Sequence, residues 1–291
     1  MNTLPFKQVD VFTQRPYSGN PVAVVLDAEK LAGEQMQRIA AWTNLSETTF
    51  ILPPSSGNAD YRLRIFTPKQ ELPFAGHPTI GSAHAVLESG FAAARAGHLR
   101  QECLAGIIEL NVDRTADGEL IFVRAPLPKI RAVERTQARR LSTALGMASD
   151  TAIHFLRIDV GVVWLVGDLG AAERVARAQP KLDEMRALSE ETNSSGVTVF
   201  GRAREERAQL HVRSFAPRLG IAEDPVCGSG NASVAAYLIH TGSIREIGAE
   251  YRARQGMEIG RDGEVAVRVE NHAIKFGGYA VTCVDGKLRI D

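Results

Sequence analysis

One structural unit occurs twice in this chain, and each copy has the pattern of a strand, a tight glycine turn and a helix. Gly76 and Gly228 mark the two turns, Gly90 and Gly242 mark the ends of the two helices, and the members of each pair are 152 positions apart. The Arg-x-Phe-x-Pro strands that precede the turns are offset by 149 positions instead. A constant spacing over turn and helix is typical of an internal duplication. The sequence therefore predicts two lobes of the same topology.

The break between the two predicted lobes falls at Ala125-Pro126-Leu127-Pro128, which interrupts the strand pattern. We place the N-terminal lobe at residues 1–127 and the C-terminal lobe at residues 128–291. An Arg-Gln pair follows each repeated helix, at residues 100–101 and 254–255. The predicted fold is α+β, with two pseudo-symmetric lobes in which a curled, mostly antiparallel sheet wraps around a central helix. The sequence leaves open whether the C-terminal strand returns to the first lobe.

The composition excludes several classes of protein. The balance of 34 basic and 34 acidic side chains does not favour nucleic acid or an anionic membrane as a partner. No apolar run approaches the roughly 20 residues of a membrane span, and the N-terminus lacks the pattern of a signal peptide. The cysteines, Cys103, Cys227 and Cys283, are too few and too scattered for a disulfide framework or a zinc site. We therefore expect a cytoplasmic protein without a metal.

Each glycine turn opens a helix, and a helix N-terminus offers unpaired backbone N–H groups and a partial positive charge. Pro78 fits the first helical position, which predicts His77 as the helix cap, and Ser229 is the matching cap in the second copy. Each start could also be an ordinary helix end without a ligand. Because the chain carries the two starts as a pair, we favour a carboxylate-bearing substrate held between them, in a cleft between the lobes.

Three further side chains near these elements have an ordinary explanation beside a functional one. Asp224 precedes Pro225, which is a common turn pair. Cys227 is either a thiol activated by the helix N-terminus or a small buried side chain. Glu47 lies between a predicted helix and strand, outside the repeated unit, where a carboxylate is most often solvated. The residue types alone do not separate these alternatives.

Five segments of the chain form a combination that is specific only when they are taken jointly. They are Gly19–Val24, Asn44–Thr48, Phe66–Pro68, Glu71–Thr79 and Glu223–Ser229. In this order they resemble the PhzF family of phenazine-biosynthesis isomerases and their relatives. The wider superfamily is that of diaminopimelate epimerase. The resemblance implies two lobes, each a sheet curled around a central helix, as the repeat predicts independently.

The resemblance also implies a cofactor-independent isomerase that transfers a proton on a small amino- or hydroxy-carboxylic acid. The family's proton-shuttling glutamate maps to Glu47, and the histidine that assists it maps to His77. Asp224 completes the catalytic set by contacting polar groups of the substrate. The remaining substrate-binding residues lie at the two turns: Gly76, Gly228, Ser229 and Cys227. A homodimer is a further expectation from the family.

The sequence departs from the family pattern at Cys227, where the family usually has threonine and diaminopimelate epimerase has a catalytic cysteine. A two-thiol epimerase would need a second cysteine at the matched position of the first turn, which is Ala75. Racemisation by two cysteines is therefore disfavoured. Two alternatives stay open. One is an epimerase or racemase that uses Glu47 and Cys227 as its two bases, and the other is a non-catalytic small-molecule-binding homologue.

Overall fold

The computed structural model describes residues 2–147, 153–204 and 207–290. The strands are β1 Asn2–Val11, β2 Asn20–Val25, β3 Thr48–Leu52, β4 Tyr61–Phe66, β5 Glu71–Leu72, β6 His98–Cys103, β7 Gly106–Thr115, β8 Gly118–Arg124, β9 Lys129–Ala132, β10 Phe155–Asp159, β11 Val163–Ala171, β12 Gly196–Arg202, β13 Leu210–Ala216, β14 Ile221–Asp224, β15 Glu250–Gln255, β16 Gly263–Glu270, β17 Ala273–Gly278 and β18 Ala280–Ile290. The α-helices are α1 Gly33–Thr43, α2 Gly76–Ser89, α3 Arg135–Ala144, α4 Ala172–Ala176, α5 Leu182–Glu191, α6 Gly228–Thr241 and α7 Ile244–Ile247.

The chain divides into two compact units. The first contains Met1–Val123 and Gly277–Asp291, and the second contains Arg124–Phe276. The sequence predicted a single boundary after residue 127, whereas here the second unit begins at Arg124 and the chain returns to the first unit at Gly277. The C-terminal strand, whose return the sequence left open, belongs to the first unit because β18 pairs antiparallel with β1 from Ala280 to Ile290.

The strands of the two units follow the same order. In the first unit the paired strands run β18–β1–β2–β3–β4–β6–β7–β8, and β5 also pairs with β4. In the second unit they run β9–β10–β11–β12–β13–β15–β16, and β14 also pairs with β13. The parallel neighbours are β2–β3 and β4–β6 in the first unit, and β11–β12 and β13–β15 in the second. This shared pattern is the topology that an internal duplication predicts.

One helix packs inside each sheet: α2 in the first unit and α6 in the second. Each helix has 14 residues and ends at a left-handed glycine, Gly90 or Gly242. Most of α6 is buried, as expected for a core helix. At Gly81 in α2, a Cβ atom would lie 2.5 Å from a methyl group of Val22, so the helix approaches the sheet as closely as glycine allows. The predicted fold class, with a curled sheet around a central helix in each lobe, is confirmed.

Shorter helices cover the other face of each sheet. Since neighbouring residues of a strand point to opposite faces, one strand can pack against the central helix on one face and against a shorter helix on the other. Thr49 of β3 accepts a hydrogen bond from Ser82 of α2 at 2.8 Å. Phe50, the next residue, packs instead in an apolar cluster with Met36 of α1. In the second unit α3 and α5 cover the sheet in the same way. No helix within the described ranges is long and apolar enough to span a membrane.

Candidate active site

Glu47 lies in the short connection between α1 and β3. Asn44 ends α1 in the left-handed conformation, with φ 55°, and β3 begins directly after Glu47. The Glu47 side chain is 15% exposed and that of His77 is 10% exposed, and Oε2 of Glu47 lies 3.4 Å from Nε2 of His77. The structure thus brings together two of the predicted catalytic residues, and it shields both from water.

His77 is the second residue of α2, because the helix begins at Gly76 and Ala75 is its N-cap. The prediction that His77 caps the helix is wrong: the helix begins two residues earlier than predicted, at Gly76 instead of Pro78, and no side chain caps this end. Burial lowers the pKa of His77 to about 4, against a hydrogen bond with the backbone of Pro21 that favours the charged form. The imidazole is therefore neutral at neutral pH.

The two ring nitrogens of His77 have different surroundings. Pro21 has no N–H group, so its carbonyl accepts the hydrogen bond from the ring. Within the described residues, Nε2 of His77 has no hydrogen-bonding partner, which leaves Nδ1 as the donor to Pro21. The contact between Nε2 and Glu47 has the distance of an ion pair but lacks the geometry of a hydrogen bond. In the neutral ring, Nε2 is then a lone-pair acceptor that faces the carboxylate.

The second set of predicted residues lies where β14 meets α6. Cys227 is the N-cap of α6, and its Sγ accepts a hydrogen bond from the N–H of Gly230 at 3.2 Å. Ser229 is therefore the second helical residue, as the histidine is in α2, and the prediction that Ser229 caps the helix is wrong because Cys227 fills that role. The Oγ of Ser229 instead accepts a hydrogen bond from Nε1 of Trp164 at 3.0 Å.

Asp224 and Cys227 interact directly. The thiol donates a hydrogen bond to the Asp224 carboxylate, and the backbone N–H of Val226 donates another. Burial raises the pKa of Asp224 to about 6 despite these two hydrogen bonds. Burial, and then the neighbouring charge of Asp224, raise the pKa of the Cys227 thiol well above its usual range. The protonated, buried capping role of Cys227 is therefore favoured over an activated thiol.

Two arginine–glutamate pairs beside the turns were not among the predicted site residues. Arg64 donates to both carboxylate oxygens of Glu71 at 2.7 Å, and Arg213 donates to both oxygens of Glu223 at 2.9 and 2.8 Å. Each guanidinium also lies over the phenylalanine of its own Arg-x-Phe motif, 5.1 and 5.0 Å from the ring centroid. Such bidentate pairs fix the strand to the segment that leads into the turn. The repeat could have revealed these pairs from the sequence, since both arginines and both glutamates recur in the two copies.

The predicted residues thus form two groups: Glu47 with His77, and Asp224 with Cys227 and Ser229. That both groups act on one substrate stays a prediction. In the part of the chain that the structure describes, no group of three or more His, Cys, Asp or Glu side chains could hold a metal ion.

Comparison with known proteins identifies the family. The model of the phenazine biosynthesis-like proteins, PhzC-PhzF, matches residues 9–286. The chain belongs to this family. It is similar to antisense-enhancing sequence 1 of Schizosaccharomyces pombe, with 41% identity over 97% of each chain. It is also similar to the trans-2,3-dihydro-3-hydroxyanthranilate isomerase of Pseudomonas aeruginosa, with 33% identity over 96% of this chain and 97% of the relative.

A solved structure leads to the same PhzC-PhzF family. The crystal structure of a PhzF-family phenazine biosynthesis protein from Bacillus anthracis superposes with a TM-score of 0.87 at 29% identity, and 100% of each chain is covered. The resemblance carried by the five sequence segments is therefore confirmed. The chain is similar over nearly its whole length to relatives that are named isomerases, and this similarity supports an isomerase activity for this family member.

Proposed function

We propose that this chain is an isomerase that transfers a proton on a small amino- or hydroxy-carboxylic acid without a cofactor, and that Glu47 is its general acid/base. The observation that carries the proposal is the buried contact between Glu47 and His77 at the start of α2. The isomerase relatives support the class of reaction. A carboxylate shielded from water beside a neutral imidazole is a suitable group for taking a proton from carbon and returning it.

The chemistry of the pair depends on one shared proton. The lone pair on Nε2 of His77 and an ionised oxygen of Glu47 repel each other at 3.4 Å unless one of them carries a proton. When Glu47 takes a proton from a substrate carbon, it becomes a neutral acid that can donate a hydrogen bond to Nε2. His77 then holds the protonated glutamate in place until the proton returns to a second carbon. The low pKa of His77 keeps this proton from passing to the imidazole.

The substrate-holding role falls to Asp224 and to the backbone of the helix starts. The first N–H groups of a helix have no partner within it, and such ends bind carboxylates, which supports Gly76, Gly228 and Ser229 as binding residues. Asp224, with a pKa of about 6, can accept a hydrogen bond from a substrate amino or hydroxyl group in its ionised form. The homodimer and the cytoplasmic setting stay predictions.

The epimerase alternative, with Glu47 and Cys227 as two bases, is less well supported. A thiol acts as a base only as the thiolate, and burial beside Asp224 raises the pKa of Cys227 well above its usual range. Its proton is moreover donated to Asp224. A non-catalytic binding protein is the other alternative, and only an activity measurement separates it from an enzyme.

The test is exchange of substrate C–H for deuterium in D₂O, followed by NMR. The panel contains trans-2,3-dihydro-3-hydroxyanthranilate and a set of small amino and hydroxy acids. For a substrate that exchanges, Glu47→Gln is expected to slow exchange by at least about a hundredfold, since general acid–base groups contribute that much or more. Glu109→Gln, at an exposed side chain, is the control and should leave the rate unchanged.

Two outcomes would contradict the proposal. Undiminished exchange in Glu47→Gln removes this residue from the mechanism, and no exchange across the panel favours a binding protein. Cys227→Thr separates the two enzymatic alternatives. Retained exchange in that variant excludes the thiol as a base, whereas loss of exchange without loss of folding supports the epimerase.

A further inference from the structure

The side chain of Gln255, at the end of β15, is fully buried and forms hydrogen bonds to three groups around the second glycine turn. Its Oε1 accepts from the backbone N–H of Cys227 at 3.1 Å and from Nδ2 of Asn231 at 3.0 Å. Its Nε2 donates to the carbonyl of Asp224 at 2.9 Å. One amide thus links the residue before the turn, the N-cap and the first turn of α6.

These partners fix the orientation of the Gln255 amide. A backbone N–H can only donate and a carbonyl can only accept, so the oxygen must face Cys227 and the nitrogen must face Asp224. The next residue, Gly256, has φ 90°, and a Cβ there would lie 2.4 Å from the carbonyl oxygen of Pro225. The chain can therefore bring Gln255 against the turn only because glycine follows it.

The matching glutamine of the first unit, Gln101, has different partners. It is also fully buried. Its Oε1 accepts from the hydroxyl of Tyr61 at 3.0 Å, and its Nε2 donates to Oγ1 of Thr79 at 3.2 Å. Both partners are hydroxyl groups, which can rotate to donate or accept. Neither partner of Gln101 therefore requires an N–H donor from its side chain. The Asp224 carbonyl, in contrast, can only accept and requires the N–H donor of Gln255.

We propose that Gln255 is a positioning residue, which sets the backbone of Asp224 and Cys227 so that the Asp224 side chain and the N–H groups at Gly228 and Ser229 meet the substrate in a fixed geometry. The proposal rests on the substrate-holding role given to these residues above. Loss of the amide would displace the groups that hold the substrate without removing any of them.

The test compares Gln255→Glu with Gln101→Glu, two isosteric changes at buried positions. In Gln255→Glu an oxygen replaces the donor that faces the Asp224 carbonyl. We expect exchange of substrate C–H to slow by about tenfold or more at neutral pH, the usual consequence of an unpaired buried polar group. Gln101→Glu should lose much less, because Thr79 can turn its hydroxyl to donate.

The pH dependence separates positioning from a general loss of stability. As the pH falls, the carboxylate introduced by Gln255→Glu takes up a proton and can again donate to the Asp224 carbonyl, so the ratio of variant to wild-type activity should rise. Asp224 and Cys227 are the titratable groups tied to this amide, and a carboxylate at position 255 would shift their titration as well, so a variant without a new charge is needed as the reference. Gln255→Met cannot regain a hydrogen-bond donor and buries no charge, so its ratio of variant to wild-type activity should not rise as the pH falls. If Gln255→Glu does not fold, Gln255→Met replaces it in the comparison of activities.

A second measurement needs no substrate. Amide hydrogen exchange at Cys227, Gly230 and Asn231, whose N–H groups are hydrogen-bonded around this turn, should become about tenfold faster or more in Gln255→Glu and in Gln255→Met when it is followed by NMR. Unchanged protection at these amides, or equal activity losses in Gln255→Glu and Gln101→Glu, would overturn the proposal. Failure of the proposed function has a different signature, since Glu47→Gln would then leave activity intact whatever the amides show.

Discussion

Replacing Asp224 by asparagine is expected to stabilise the protein at neutral pH and to impair its activity. Burial raises the pKa of Asp224 from 3.8 to about 6. Between these values the folded chain holds a proton that the unfolded chain has lost, so the free energy of unfolding falls as the pH rises through this window. A shift of about two units corresponds to about 3 kcal/mol. Because Asp224 keeps part of its surface accessible, solvent screening reduces this figure to about 1 to 3 kcal/mol.

Asparagine has no such titration, and its side-chain oxygen can still accept the hydrogen bonds from Val226 and Cys227. Urea unfolding of the wild type and Asp224→Asn, from about pH 4 to about pH 8, measures the difference in the free energy of unfolding. It should be near zero at the acid end and reach its full value above about pH 6. Asp117→Asn, at an exposed hairpin tip, removes the same charge and should leave stability nearly unchanged.

The reasoning is refuted by an Asp224→Asn protein that is no more stable than the wild type at about pH 8, or by a difference that does not vary with pH. The same variant should exchange substrate protons at least about tenfold more slowly, because asparagine cannot provide the ionised acceptor. A residue whose removal stabilises the fold and impairs the reaction is typical of a functional site.

Two further changes test other parts of the structure. His77 stays neutral in the folded chain down to about pH 4, whereas its ordinary pKa is 6.5. Its titration should therefore lower the free energy of unfolding by up to about 3 kcal/mol as the pH falls through this window, opposite in sign to the contribution of Asp224. His77→Gln should lack this loss in urea unfolding, and an identical pH dependence of both proteins would contradict the assignment. Gly81→Ala places a methyl group 2.5 Å from Val22 and should destabilise by about 1 to 3 kcal/mol despite the better helix propensity of alanine. Gly57→Ala is the control, because nothing lies within 4 Å of the added atom. A Gly81→Ala protein as stable as this control would show that the space between α2 and the sheet can accommodate a methyl group.

The repeat made most of the fold predictable. The spacing between Gly76 and Gly228 is maintained from the helix start to the left-handed glycine at the end of each helix. The helix caps were predicted wrongly, because Pro78 suggested a later start than the backbone adopts. In the second copy the N-cap is Cys227, whose sulfur is a weak acceptor that propensity rules do not favour. The strand β18 occupies in the first unit the place that β9 occupies in the second. It lies at the other end of the chain and outside the strand–turn–helix motif, so its pairing with β1 could not be derived from the repeat.

The site was less predictable than the fold. Glu47 was named through a resemblance, and the residue pattern alone gave it no special role. Its contact with His77 depends on the loop between α1 and β3, whose path is set by tertiary packing. The Arg64–Glu71 pair, in contrast, has a signal in the sequence. A glutamate that recurs after each Arg-x-Phe strand is a candidate partner for the arginine.

The two copies of the unit differ at the position of Glu47, the proposed base. In the first unit Thr48, the residue after Glu47, pairs with the phenylalanine of the Arg-x-Phe strand. In the second unit Val197 pairs with the equivalent phenylalanine, so Gly196 is the counterpart of Glu47. Glu47 therefore lies outside the repeated strand, turn and helix, as predicted, but within the wider duplicated architecture of the two units.

This difference means that only one of the two equivalent positions carries a carboxylate. A Cβ atom at Gly196 would lie 2.0 Å from the carbonyl oxygen of Phe215, so the second unit has no room for a side chain at that position. Racemisation without a cofactor uses two bases on opposite faces of a carbon, whereas an isomerase can return the proton with the base that removed it. The thiol of Cys227 would have to be the second base, and its raised pKa opposes that role. The duplicated scaffold thus keeps two equivalent helix starts but a single position for a carboxylate, which favours the isomerase over the epimerase.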